Sequence, residues 1–143
     1  MRNYAYYKWR QNMRQAFLLF SHQLTKSQQD ELENKFKVDK IIYLPSDLQS
    51  IWSNVPPELP SIKDYLEEIF CWLKEHSKPN DIVLVQGEFG AVFLTANFCI
   101  KEGLVPIYST TRRDVAETIL DDETIQTKRN FIHVRFREFE KWD

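Results

Sequence analysis

Residues 81–103 read DIVLVQGEFGAVFLTANFCIKEG, and the fold turns on how this stretch is parsed. Asp81–Gln86 (DIVLVQ) is a continuous apolar run of strand length, the pattern of a strand buried on both faces in a parallel sheet. Gly87-Glu88-Phe89-Gly90 then turns the chain into an apolar helix, Ala91 to about Lys101, closed by Gly103. Upstream, Ala16–Phe20 (AFLLF) is a second buried-type strand. Thr25-Lys26-Ser27-Gln28 has capping-box spacing and opens a helix to about Phe36. Lys40–Leu44 (KIIYL) reads as a further strand, stopped by Pro45. A short helical piece near Asp47–Trp52 precedes the break at Val55-Pro56-Pro57. Ser61–Ser77 then places Ile62, Tyr65, Leu66, Ile69, Phe70 and Leu73 at helical spacing.

Downstream, Val105–Ser109 is predicted as a fourth strand and Asp114–Leu120 as a short helix. Asn130–Phe139 alternates, with Ile132, Val134 and Phe136 on one face and His133, Arg135 and Arg137 on the other, as in an antiparallel or edge strand. Apolar strands alternating with helices predict an α/β sandwich with a largely parallel central sheet. Residues 16–143 form one domain on this reading. Residues 1–15 are a basic, aromatic extension, with Arg2, Lys8, Arg10 and Arg14 interleaved with Tyr4, Tyr6, Tyr7 and Trp9.

Composition narrows the function classes. A chain of 143 residues can build one sizeable core. Its hydrophobic fraction of 43% suits a globular protein rather than a disordered one. A net charge of −2 argues against a generally basic nucleic-acid binder, so DNA is not an expected partner. The longest apolar stretch, Ala91–Ile100, is broken by Thr95 and Asn97 and is too short for a bilayer, so no membrane partner is expected either. Cys71 and Cys99 lack metal-type spacing and suit a reducing cytoplasm. With only three glycines, neither a Walker A loop nor a G-x-G-x-x-G fingerprint can be written.

In open α/β sheets ligands bind beyond the carboxyl ends of the strands. Three segments are expected there and are expected to converge on one cleft. Ser21-His22 follows the first strand, where the imidazole can serve as ligand or general base. Gln86-Gly87-Glu88-Phe89-Gly90 has the build of an anion or nucleotide cradle. Gly87 would take a positive φ, and Gly90 would let a ligand approach the helix start. Phe89 would stack on a base, and Gln86 would bond its edge. Thr110-Thr111-Arg112-Arg113 offers two hydroxyls and two guanidiniums to phosphate oxygens. Glu88 is the lone acid among these segments, so no metal site and no cofactor are expected. The competing reading of each segment is a plain turn with packing glycines and solvated side chains.

Ser21-His22-x-Leu24-Thr25, Val85-Gln86-Gly87-Glu88-Phe89-Gly90, Tyr108-Ser109-Thr110-Thr111-Arg112-Arg113 and Phe131-Ile132-His133-Val134-Arg135-Phe136-Arg137 occur in this order. Together they resemble the small CRISPR-associated ancillary proteins of the Csx type. That family is linked to type III CRISPR systems and related to CARF (Rossmann-like sensor) domains. The resemblance runs from about Ala16 to the C-terminus and implies a Rossmann-like fold and a cytoplasmic homodimer. It also implies binding of cyclic oligoadenylate, tetra-adenylate above all, and its metal-independent cleavage as a ring nuclease, which would end the antiviral signal. On this resemblance His22, Arg112 and Arg113 are the catalytic candidates. Ser21, Gln86, Gly87, Glu88, Phe89, Gly90, Thr110 and Thr111 would line the ligand. Two alternatives stay open: a sensor or sponge that holds the ring without cutting it, and an RNA-binding or assembly module.

Overall fold

The apolar runs become neighbouring strands of one sheet in the computed structural model, which describes residues 12–143. Strands β1 (Gln15–Leu19), β2 (Lys40–Tyr43), β3 (Ile82–Val85) and β4 (Val105–Ile119) are parallel, and β5 (Ile125–Glu138) is antiparallel at one edge. The order is β2-β1-β3-β4-β5. Four helices between these strands are described: α1 (Lys26–Asn34), α2 (Ser46–Ser53), α3 (Glu67–His76) and α4 (Phe89–Lys101).

Every residue of β1 and β3 is buried, which is why both read as unbroken apolar runs. Alternate side chains go to opposite faces. Ala16, Leu18, Ile82 and Leu84 pack under α1 with Leu32, Ile107 and Phe136. Phe17, Leu19, Val83 and Val85 pack against Trp52, Ile69, Leu73, Ala91 and Cys99 from α2, α3 and α4. The result is a mixed α/β sandwich whose sheet is mostly parallel, with an antiparallel C-terminal pair.

Local chemistry sets several boundaries as expected. The Thr25 hydroxyl accepts from Gln28 N–H and the Gln28 amide oxygen accepts from Thr25 N–H, the reciprocal bonds of a capping box. Gly103 takes φ +76° and ends α4. The helix expected over Ser61–Ser77 starts only at Glu67. The chain before it turns so that the Tyr65 hydroxyl donates to the carbonyls of Ile51 and Asn54, 2.6 and 3.0 Å away. The extension predicted over residues 1–15 lies outside the described residues as far as residue 11. Met13 to Gln15 belong to the fold. Lys78 Nζ donates to Met13 O, the Arg14 guanidinium donates to the carbonyls of Phe36 and Asn80, and Gln15 N–H donates to the Asp81 carboxyl.

The largest correction concerns residues 110–120. Thr110–Arg113 is no loop and Asp114–Leu120 no helix; all but Leu120 belong to the long strand β4. Its β-branched Thr110, Thr111, Val115, Thr118 and Ile119 pair with β5 from Thr110↔Arg135 out to Ile119↔Ile125. A tight turn joins the strands. Glu123 is left-handed (φ 69°), Leu120 and Thr124 share a backbone bond, and the Asp122 carboxylate accepts from Thr124. Those bonds hold the Asp122 carboxyl below its usual range. Because β3 ends at Val85, the outer part of this hairpin projects beyond the sheet as a two-stranded arm, about 27 Å from Thr111 to Ile119.

Candidate functional site at the carboxyl edge of the sheet

The order 2-1-3-4 reverses direction between β1 and β3, because β1 connects outward to β2 while β3 connects the other way to β4. This switch point is where doubly wound sheets open a crevice at their carboxyl ends. Two of the three expected segments flank it, Ser21-His22 after β1 and Gln86–Gly90 after β3.

Ser21 and His22 lie in an open groove of 610 Å³ with Phe20, Gln23, Tyr43, Gln49 and Ser53. The Ser21 and Ser53 hydroxyls are 2.9 Å apart, and the His22 ring meets Phe20 edge-on at 5.5 Å. The imidazole is exposed and takes part in no hydrogen bond among the described residues. Among the described residues the lining is hydroxyl, amide, imidazole and aromatic, with no guanidinium or ammonium.

The Gln86–Gly90 segment is more committed to the fold than its sequence suggests. Gln86 N–H donates to Leu19 O, its carbonyl accepts from Trp52 Nε1 at 2.9 Å, and its amide oxygen accepts from Ser109 N–H at 3.0 Å. Gly87 does not take the positive φ expected of it. Its requirement is space, since a Cβ there would stand 3.0 Å from Trp52 Nε1. Glu88 is the N-cap of α4, its carboxylate accepting from Gly90 N–H and Ala91 N–H at 3.1 and 2.9 Å. The donors expected to cradle an anion are therefore already held by a carboxylate. Gly90 packs closely on Ile62, with 3.3 Å between that side chain and a Cβ built there. Phe89 is 94% exposed and remains free to stack.

Thr110, Thr111, Arg112 and Arg113 do not line the His22 groove. Arg112 lies about 13 Å beyond the carboxyl end of β3, measured along the strand. Neighbouring residues of a strand face opposite ways, so Arg112 and Arg113 cannot grip one phosphate from one side. Arg112 also stands 3.8 Å from Asp114. The Thr110 hydroxyl donates to Arg135 O. The three segments therefore do not converge on one cleft: Ser21-His22 lines a groove with Tyr43, Gln49 and Ser53, Glu88 lines a separate cavity with Val55 and Ile62, and Thr110–Arg113 belongs to the strand that becomes the arm.

Sequence reading missed a polar chain at the root of the arm. His133, expected on a solvated face, has a side chain only 6% exposed. Its Nδ1 lies 2.5 Å from Ser109 Oγ and its Nε2 2.8 Å from Glu31 Oε1, while Glu31 Oε2 accepts from Phe136 N–H at 2.7 Å. A β-bulge makes this possible. Thr110 pairs with Arg135 but Thr111 with His133, so Val134 is the extra residue and the alternation changes phase. His133 and Phe136 then share the face toward α1, contrary to the expected split. Glu31 is separated from His133 by 102 residues, and no local motif announces the pair.

Among the described residues there is no grouping of three His, Cys, Asp or Glu able to hold a metal ion, and no helix long and apolar enough to cross a membrane. A family model described as "Uncharacterized protein MJ1673 family" matches residues 14–137, and the chain belongs to that family. A Methanocaldococcus jannaschii relative, "Uncharacterized protein MJ1673", is 50% identical over 127 residues, covering 89% of this chain and 98% of its own. No solved structure matches the chain.

Proposed function

We propose that this member of the MJ1673 family binds cyclic oligoadenylate, with tetra-adenylate favoured, across the carboxyl ends of β1 and β3. On this reading it cleaves the ring without a metal and so ends type III CRISPR antiviral signalling. The observation that carries the reading is the state of the histidines. His133 has both ring nitrogens in hydrogen bonds, and His76 Nδ1 lies 2.8 Å from Trp72 O. His22 takes part in no hydrogen bond among the described residues, is exposed, and directly follows β1 in a groove of hydroxyls and amides suited to ribose and base edges.

In the step proposed, His22 takes the proton of a ribose 2′-OH, and that oxygen attacks the adjacent phosphorus. The bond to the 5′-oxygen breaks and the leaving oxygen takes up a proton, giving a linear product with a 2′,3′-cyclic phosphate and a 5′-hydroxyl. In-line positioning of the 2′-OH supplies much of the acceleration. None of the described residues lining the groove carries a guanidinium or ammonium, and on this reading the phosphate charge is met by guanidiniums of the arm, Arg112 or Arg113, from this chain or a second copy. Exposed Phe89 offers a stacking surface on the β3 side.

The test is incubation of the full chain with cyclic tetra-adenylate in EDTA, with products resolved by mass spectrometry. A linear product ending in 2′,3′-cyclic phosphate is expected. His22→Ala should lower the single-turnover rate about 10²–10⁴-fold while sparing most of the binding. Arg112→Ala or Arg113→Ala should weaken binding by about 1.5–3 kcal/mol. Tight binding without cleavage would make the protein a sensor or sponge. Absence of binding would overturn the reading in favour of an assembly module.

A further inference from the structure

Beyond the Arg112 and Arg113 guanidiniums, the arm formed by the outer parts of β4 and β5 has no part in the chemistry above. Its residues from Thr111 to Ile132 are exposed on both faces. A two-stranded ribbon alone is at best marginally stable in water. Yet on the face that continues from His133 this one carries Phe131, Val115, Ile119 and Ile125, all exposed, with Ile119 and Ile125 directly paired. Four large apolar side chains on one side of an unsupported ribbon are the pattern of an interface.

Charge along the arm says what covers it. The half near the sheet is basic, with Arg112 and Arg113 on β4 and Lys128 and Arg129 on β5, tempered by Asp114. The half near the turn is acidic, with Glu117, Asp121, Asp122 and Glu123 and no cation. A surface basic at one end and acidic at the other is complementary to itself turned end for end. Two-fold symmetric association needs such a self-complementary patch. Parallel arms would oppose like charges, and an unrelated partner would have no need of the inversion.

We propose that the arm is a dimerisation element, its apolar face packed on that of a second copy of this chain running antiparallel. In that arrangement the Arg113–Phe131 rung of one arm lies over the Ile119–Ile125 rung of the other. Arg113 and Arg129 meet Glu117 and the acidic turn. The Ser109–His133–Glu31 chain fixes the direction in which the arm leaves the sheet, so less ordering is needed on association. This inference is independent of the cyclic oligoadenylate reading and is tested without ligand.

The test uses two charge-reversed full chains and light scattering. One has its root reversed (Arg113→Glu with Arg129→Glu), the other its tip reversed (Glu117→Arg with Asp121→Arg), which leaves the Asp122 bonds of the turn untouched. The unmodified chain should have twice the mass of a single chain, and each variant alone the mass of one. An equimolar mixture of the two variants should recover the doubled mass, because acidic roots then meet basic tips and acidic tips meet basic roots. Misfolded variants could not restore a dimer on mixing. A monomeric unmodified chain, variants that remain dimeric alone, or a mixture that stays monomeric would each overturn the proposal.

Discussion

Removing the Glu31 carboxyl is the sharpest test of what holds the arm root to the fold. Glu31 sits on α1 with its side chain 12% exposed, and its two oxygens serve His133 Nε2 at 2.8 Å and Phe136 N–H at 2.7 Å. Glu31→Ala leaves both donors facing a largely dry gap. Bonds to a carboxylate are worth about 1.5–3 kcal/mol each, but partial access of water to the vacated space returns some of that. Alanine also regains a few tenths of a kcal/mol in helix propensity. The expected net loss is about 2–4 kcal/mol, and at ~2–4 °C per kcal/mol the melting temperature should fall by roughly 4–16 °C. Urea unfolding followed by circular dichroism would measure it. Glu31→Gln, whose amide oxygen can still accept one bond, should lose about half as much. Glu33→Ala, two residues along at an exposed position, should lose less than about 0.5 kcal/mol. A Glu31→Ala chain as stable as the Glu33→Ala control would refute the idea that this chain of polar contacts clamps β5 to α1.

Two further outcomes follow from the packing. Gly87→Ala should cost about 1–3 kcal/mol and alter Trp52 fluorescence, because the added methyl meets the indole edge at 3.0–3.2 Å; an unchanged spectrum and stability would show that the loop yields freely. Burial pushes the Cys99 thiol up to about 12, whereas Cys71 is exposed, so a thiol reagent at pH 8 should modify Cys71 and spare Cys99 until the chain unfolds. Because the raised value belongs to the folded state, Cys99 contributes stability that is intact below about pH 8.5 and is lost toward pH 12. The slope should be about 1.4 kcal/mol per pH unit, and Cys99→Ala should flatten it.

The parts of the fold legible in the sequence were those whose cause is local or whose burial is two-sided. β1 and β3 are buried on both faces and so appear as unbroken apolar runs, and the α1 cap is fixed by two residues three apart. The arm was misread because Val115 and Ile119 are four apart, a helical spacing, and what makes the segment extended is a partner strand beyond a turn that contains no glycine. The phase of β5 was misread for a related reason. A bulge at Val134 is one residue of irregularity, and it moves His133 from the expected solvent face to the buried one. In the candidate site, the strand-end position of His22 was readable from the run before it. The engagement of Gln86 and Glu88 was not, since each bonds groups that only the fold brings near.

Gln86 shows how the edge divides into fixed and adjustable parts. Its backbone and side chain are tied to Leu19 on β1, Trp52 on α2 and Ser109 on β4, so the floor of the switch point is held from three elements. Ser109 passes that restraint on, through His133 to Glu31 on α1. One connected set of hydrogen bonds therefore runs across the carboxyl edge from the α2 side of the sheet to the α1 side and ends at the root of the arm. What lies outside it is the Ser21–Gln23 segment, exposed Phe89 and the arm itself. These are the groups that any ligand above the switch point would have to meet. A rigid floor with exposed side chains at its rim suits binding in which the scaffold stays still and the rim closes, since only the rim's ordering opposes association. The same partition explains why a change in the floor, at Gly87 or Glu31, should appear as lost stability. On the cleavage reading proposed above, a change at His22 should appear in the rate with the fold intact.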